Sequence, residues 1–476
     1  VAAPIIVWFR DDLRLADNPA LAAACADGRP VLCLFVHDEH SAGLRRLGAA
    51  ARWWLAQSLR ALDRELRMRG GRLDLRAGAA ADVVPAVAAE TRSAVVHVNR
   101  RYDPAGAAVD VEVARRLAAN GVAVRTFHAG LLHEPDRLLT NSGAPYSVFT
   151  PFWRRLRQMS RTASLPAPSR LPPAPPCRSD DIETWRLEPH APDWAGGLRA
   201  TWVPGESAAR DRTAQFIDER LAGYAAGRDR PDLDATSRLS PHLRFGEISP
   251  RQIWHAAVSA AERKHGPSPA DTDKFISELA WREFSHHLLH HHGDLHRRNI
   301  QARFDAFPWR EGGAALVAWQ RGRTGYPLVD AGMRQLWTTG WMHNRVRMVA
   351  ASFLVKHLMI DWRVGEAWFW DTLVDADLAA NPTGWQWVAG SGADAAPFFR
   401  IFNPVVQSRK FDPHGTYIRR WVPELAGVAE RDIHTPWDTG VILPAGPYPG
   451  PIIDHATARA RALAAFSGLG KTGRKP

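Results

Sequence analysis

Pro4-Ile5-Ile6-Val7-Trp8-Phe9-Arg10 is a short apolar run rich in β-branched residues, and it reads as a buried strand. Asp17-Asn18-Pro19 follows, a capping side chain with proline at the first turn, which predicts a helix start. Further strands are expected over 31–36, 72–75, 94–98 and 122–126. Helices are expected over 50–68 (stopped by Gly70-Gly71), 81–90 and 104–119. Strand alternating with helix predicts a parallel, doubly wound α/β sheet for residues 1–130. No Gly-x-Gly-x-x-Gly follows the first strand; Arg10-Asp11-Asp12-Leu13-Arg14 stands there, which argues against an ordinary NAD site while leaving the strand ends open to a ligand.

Outward from that domain the character changes. Six prolines between Pro166 and Pro176 mark an extended linker, placed at 131–199. From 200 to 476 the pattern is helical, with no run of strands and no internal repeat, and Gly470–Pro476 reads as a frayed basic tail. A chain of 476 residues is too long for one core. The net charge of +11 and pI near 10.1 favour a polyanionic partner, nucleic acid ahead of membrane. The basic residues are 55 arginines and six lysines, a skew that genome composition can produce, so the sign of the charge carries more weight than the choice of arginine. Three cysteines without metal or redox spacing, and no apolar run of membrane-spanning length, lead to the expectation of a soluble cytoplasmic protein, and a monomer is expected. Tryptophan is the outlier: 12 of 20 lie between Trp281 and Trp437.

Within that tryptophan-rich half, Trp337-Thr-Thr-Gly-Trp-Met-His-Asn-Arg-Val-Arg-Met348 is expected to be helical from about Gly340. Trp341, Asn344, Arg345 and Met348 would then share a face and Arg347 would lie a short rotation away. Such a mixed stripe suits a cavity wall, or else a core helix with snorkelling arginines. Thr236-Ser237-Arg238-Leu239-Ser240 offers hydroxyls and backbone amides at a helix start, a phosphate cradle or a plain cap. Glu278, Trp281 and Arg282 share a helical face, either a pocket edge or a surface Glu–Arg pair. Asp375 and Asp377, followed by Asn381, Trp385 and Trp387, could hold a ring with N–H and carbonyl groups or could start a helix. His286, His287, His290, His291, His292 and His296 include the i, i+4 spacing of a zinc site. No acidic partner lies between His286 and His290, and Gly293 follows the cluster, so a solvated helix end is preferred and no metal is expected.

From Val7-Trp8-Phe9-Arg10-Asp11-Asp12-Leu13-Arg14 to about Leu425, and most densely from Thr324-Gly325-Tyr326-Pro327 to Phe402-Asn403-Pro404, the chain resembles the photolyase/cryptochrome family, and within it bacterial cyclobutane pyrimidine dimer photolyases. The resemblance implies an α/β domain, a wrapping linker and a helical FAD- and DNA-binding domain. It implies light-driven repair by electron transfer from excited reduced FAD to a flipped-out dimer in UV-damaged DNA, double or single stranded. By position, Tyr224, Thr236, Ser237, Arg238, Leu239, Ser240, Arg282, Asn344, Arg347, Asp375, Asp377 and Asn381 would bind FAD, with Arg347 paired to Asp375 and Asn381 beside flavin N5. Glu278, Trp281, Asn344, Met348 and Trp387 would hold the dimer, with a protonated Glu278 donating to a base carbonyl. Trp385, Trp362 and Trp309 match the electron relay, with Trp319, Trp337 and Trp370 as other stepping stones. Arg228, Arg345, Arg400 and Lys410 would meet phosphates.

The chain departs from one folate-binding subgroup at Tyr102-Asp103-Pro104-Ala105-Gly106, and Ser240 to Glu247 looks like another bacterial and plant-related branch. An antenna pigment is implied by analogy, methenyltetrahydrofolate ahead of 8-hydroxy-deazaflavin. Three rival readings are a (6-4) photolyase, a cryptochrome acting as a light-signalling module, and a basic protein binding a nucleotide in its α/β domain. The first would carry a histidine pair where Asn344 and Met348 stand. Against the second stand Asn381, Trp281 and the short C-terminal tail.

Overall fold

A computed structural model describes residues 2–159, 161–438 and 448–469; the expected basic tail lies outside them. The chain divides by contacts into two compact units, Val1–Gly223 with Ser237–Gly293, and Tyr224–Thr236 with Asp294–Pro476.

In the first unit β1 (Ile5–Phe9), α1 (Pro19–Asp27), β2 (Val31–His37), α2 (Ala49–Arg67), β3 (Leu73–Ala77), α3 (Ala80–Thr91), β4 (Val95–Asn99), α4 (Pro104–Ala119) and β5 (Ala123–Phe127) alternate as expected. The sheet is parallel, in the order β3-β2-β1-β4-β5, with Ile5 opposite both Val31 and Val95. All of β1 is buried, because helices cover a parallel sheet on both faces. Asn18 caps α1 by accepting from the Leu21 amide at 3.1 Å, and Pro19 follows at its first turn. The strand order reverses between β1 and β4, where α/β sheets commonly bind ligands. Here protein groups fill the point: Asn99 donates to Asp12 (2.6 Å) and Asn18 (2.7 Å), and the buried Arg10 guanidinium reaches the Asn99 carbonyl and Asp110.

The proline-rich segment is extended and tied to the sheet. Val31 N–H donates to Pro172 O (2.8 Å), Leu171 N–H to Arg69 O (2.8 Å) and Asp180 N–H to Leu75 O (2.7 Å). The loop after β1 is anchored by the buried Glu206, which accepts from the Leu15 (2.6 Å) and Ala16 (3.0 Å) amides.

The second unit is helical throughout its described residues. Its core gathers Trp319, Met342, Val346, Phe353, Trp362, Phe369 and Trp385. One expectation fails here. Helix Pro327–Thr339 ends on Gly340 in the left-handed region (φ 66°), and the next helix is Asn344–Ser352, capped by the His343 side chain accepting from Arg345 N–H at 3.2 Å. Trp341 therefore precedes the helix instead of sharing its face. The expected stripe shrinks to Asn344, Arg345 and Met348, with Arg347 beside it. Gly340 is a stop, as an αL residue at a helix end usually is.

The histidine cluster is corrected as well. Helix Pro269–His292 encloses His286 to His292, and His287 is buried, with the Tyr146 amide donating to its Nε2 at 3.0 Å. Burial and its histidine neighbours push His287 down to about 3, so this one ring is packed and neutral, while His292 at the helix end is exposed.

Candidate functional site

The second unit brings together much of the predicted flavin set. Arg347 and Asp375 form an ion pair at 2.7 Å, Asp375 almost fully shielded and the guanidinium partly exposed. Arg347 Nε also donates to Met342 O (2.7 Å), so both ends of the fork are fixed. Asn381 Nδ2 donates to the Glu366 carboxylate (2.8 Å) and carbonyl (3.1 Å). With its nitrogen held, the amide turns its oxygen away from Glu366. Asp377 accepts from the Ala379 (2.7 Å) and Ala380 (2.5 Å) amides, leading into helix Ala380–Ala389. Of the two readings of that segment, the helix start is therefore realised at Asp377, while Asp375 serves the ion pair. Tyr224 is buried at the head of helix Tyr224–Gly227, and Thr236 is half-buried in the same unit.

Burial pushes His343 down to about 4, so its ring is neutral. Its Nδ1 accepts from Arg345 N–H, which leaves the proton on Nε2. That N–H is shielded from solvent and has no partner among the described residues.

Asn344 is exposed and Met348 half-buried on helix Asn344–Ser352. Arg345, by contrast, is already engaged: it pairs with Asp229 (2.6 Å) and lies over Phe411 (4.4 Å). Arg228 approaches Asp229 at 3.9 Å. Arg400 and Lys410 are exposed; the Arg400 carbonyl accepts from the buried Lys356 Nζ (3.0 Å), and Lys410 lies 5.1 Å from the Phe411 ring. Desolvation lowers Lys356 to about 7. The relay candidates grade outward in burial. Trp385 and Trp362 are buried in the core, and Trp309 is partly buried against it. Trp385 packs at 5.0 Å from Phe369 and 6.2 Å from Trp319, and Trp362 Nε1 donates to Asn299 (2.9 Å). A Cβ at Gly365 would stand 2.2 Å from Trp385, so glycine is needed for that packing. Trp387 is half-buried, Trp370 buried and Trp337 exposed, stacked 5.9 Å from Trp368.

The other predicted residues lie in the first unit. Ser237 Oγ accepts from the Leu239 amide (3.4 Å), Arg238 takes φ 52°, and helix Ser240–Arg244 begins with exposed Ser240 followed by buried Pro241, so hydroxyls and amides are gathered in one turn. On helix Pro269–His292, Trp281 stacks face to face on Phe149, centroids 3.7 Å apart and 7° between planes. The Glu278–Arg282 pair allowed by their spacing is not the one made. Glu278 pairs with Lys274 (3.0 Å), while Arg282 bonds Gly130 O (3.2 Å) and Glu283 (3.2 Å).

Three contributors escaped the sequence reading: Glu366, Phe149 and His343. Glu366 left one signal, an acid in the middle of the aromatic helix Trp362–Thr372, whose other acid, Asp371, lies at its C-terminal end. Phe149 lies 132 positions from Trp281 and left none.

A fixed guanidinium–carboxylate pair, an oriented amide and a buried N–H donor in a helical unit fit a planar heterocycle with N–H and carbonyl edges. The hydroxyl-rich turn fits phosphates. This donor chemistry, with a parallel α/β sheet earlier in the chain, is that of a flavin-nucleotide protein. Comparison with known proteins is specific. Residues 275–468 match the model described as the FAD binding domain of DNA photolyase, and residues 5–173 that described as DNA photolyase. The deoxyribodipyrimidine photo-lyase of Agrobacterium fabrum is 50% identical over 99% of both chains, and cryptochrome-1 of Arabidopsis thaliana is 39% identical over 97% of this chain and 70% of its own. A bacterial class III photolyase structure from Agrobacterium tumefaciens superposes with a TM-score of 0.95 at 50% identity, covering 99% of this chain and 98% of that one. The chain belongs to the DNA photolyase family, and its helical half carries the family's FAD-binding domain.

Proposed function

We propose that the chain repairs cyclobutane pyrimidine dimers in DNA under light, acting as a deoxyribodipyrimidine photolyase. The observation that carries the reading is end-to-end identity of 50% with a protein of that name. FAD, when bound, supplies the light-driven one-electron chemistry. Tyr224, Thr236 to Ser240, Arg282, Asn344, Arg347, Asp375, Asp377 and Asn381 hold it. Asp375 fixes the Arg347 guanidinium so that its positive charge is aimed in advance, which lowers the cost of negative charge developing beside it. Glu366 aims the Asn381 oxygen as an acceptor for an N–H.

Trp281, backed by Phe149, offers one flat face to a flipped-out dimer, with Trp387 as a second wall. Asn344 hydrogen-bonds the lesion and Met348 packs on it. Glu278, ion-paired with Lys274, acts as an acceptor from a base N–H; donation to a carbonyl would require Lys274 to move away. Trp385, Trp362 and Trp309 pass electrons inward from the surface. Arg228, Arg400 and Lys410 meet phosphates in duplex or single-stranded DNA. Arg345 does so only by releasing Asp229.

Domain roles are 1–130 for a methenyltetrahydrofolate antenna, 131–199 for the linker and 200–476 for FAD and DNA, in a cytoplasmic monomer; among the described residues no helix is long and apolar enough to cross a membrane. The test is the visible spectrum of the purified protein, with FAD added back, followed by illumination with dimer-containing DNA. Flavin absorption with light-dependent dimer loss supports the reading. A protein that takes up no flavin, or that photoreduces without repair, overturns it; the latter result is the cryptochrome reading, for which the 39% identity to cryptochrome-1 is the weaker support beside 50% to a photo-lyase.

A further inference from the structure

The histidine-rich end of helix Pro269–His292 has an acidic neighbour that its own sequence lacks. The turn Pro135–Arg137 brings Asp136 to it, and one ligand atom from each of Asp136, His290 and His291 lies within 4.8 Å of the others. The hydrogen bonding around His290 is unusual. Its Nδ1 is 3.1 Å from the Tyr102 carbonyl, which only accepts, so Nδ1 carries a proton. In a neutral ring the lone pair then sits on Nε2, yet Nε2 is 2.9 Å from Asp136 Oδ1, a second electron-pair donor. Two lone pairs face each other unless Nε2 is protonated, giving an imidazolium–carboxylate pair, or a metal cation stands between them. His291 adds an independent sign: its Nε2 is shielded from water and has no hydrogen-bond partner among the described residues. The helix C-terminus also favours positive charge at this place.

We propose that Asp136, His290 and His291 form a site for a borderline divalent cation of the Zn²⁺ class, with water completing a tetrahedron. Two imidazoles and a carboxylate match that class and not Mg²⁺ or Ca²⁺, which take oxygen ligands. The Tyr102 carbonyl on Nδ1 of His290 is the outer contact that orients a ligating imidazole. Tetrahedral bonds of about 2.0–2.2 Å place donors roughly 3.3–3.6 Å apart. On binding, the Asp136–His290 pair at 2.9 Å therefore opens by about half an ångström and the longer separations, up to 4.8 Å, close by as much as about an ångström, movements that the exposed Asp136 side chain can share. The ion would clasp the Pro135–Arg137 turn to the helix end, at a place that takes no part in the flavin and lesion chemistry proposed above.

The test is a Zn²⁺ titration of tag-free, chelator-stripped full-length protein in competition with a chromophoric chelator. Wild type is run beside Asp136→Asn, His290→Gln and His291→Gln. One equivalent is expected, with affinity weakened about tenfold or more in each variant. Asp136 is exposed, so its variant remains informative if either histidine variant fails to fold. Equal stoichiometry and affinity in wild type and Asp136→Asn would overturn the site. So would a wild type that binds no Zn²⁺ at one equivalent, which would leave an imidazolium–carboxylate ion pair only.

Discussion

Glu283 is where the pH dependence of stability is most directly written into the molecule. Burial pushes its carboxyl up from 4.5 to about 7, against the pull of Arg282 and of the Leu132 amide, which donates to it at 2.7 Å. Between those two values the folded chain holds a proton that the unfolded chain has released. Stability from this group is therefore full below about pH 4.5, falls as pH rises towards 7, and is flat above. Integrating the linkage from pH 5 to pH 8 gives a loss of about 2.5 kcal/mol. Glu283→Gln keeps an oxygen for the Leu132 amide and removes the titration. The difference in melting temperature between wild type and variant, followed by circular dichroism from pH 5 to 8, should shift by about 2–4 °C in favour of the variant at the alkaline end. Asp412, raised to about 6, and His343, lowered to about 4, titrate in both proteins and cancel in the difference. A wild-type-to-variant difference that does not change with pH would refute the assignment.

Gly365→Ala would place a methyl 2.2 Å from Trp385 and 2.5 Å from Leu354; about 1–3 kcal/mol should be lost in a denaturation experiment, and flavin photoreduction should slow. An unchanged melting point would contradict the packing. Phe149→Ala removes the support behind Trp281; losing roughly 1 kcal/mol of stacking should weaken binding to dimer-containing oligonucleotide about fivefold in fluorescence anisotropy while leaving undamaged DNA unaffected. Equal losses on both DNAs would mean that Phe149 acts on the fold alone. Arg400→Ala and Lys410→Ala should each reduce the slope of log affinity against log salt by about 1 without changing lesion preference. An unaltered slope would remove that residue from the DNA contacts.

The α/β half was legible because its strands are short β-branched runs and its helices begin at side chains such as Asn18 and Asp103, whose capping bonds are local. Local spacing also placed Asn344, Arg347 and Met348 on one short helix. It failed at Gly340, because a histidine cap at His343 is not among the usual capping residues and the apolar pattern runs on through the break. Contacts made across the chain were out of reach. Glu366 fixing Asn381, Phe149 under Trp281, and Asp136 beside His290 each join residues whose separation in sequence matches no helical or strand period. The pairing of Arg347 with Asp375 came from family resemblance, not from periodicity, and the ion pair is made.

The central claim is that excited flavin held by the helical half repairs cyclobutane dimers and no other lesion. The most direct measurement is loss of each photoproduct in one oligonucleotide series, a cyclobutane dimer or a (6-4) product, under blue light with the reduced protein and with dark controls. The account predicts light-dependent disappearance of the cyclobutane dimer and full retention of the (6-4) product. Repair of the (6-4) product, or no repair of either lesion by flavin-loaded protein, would contradict it.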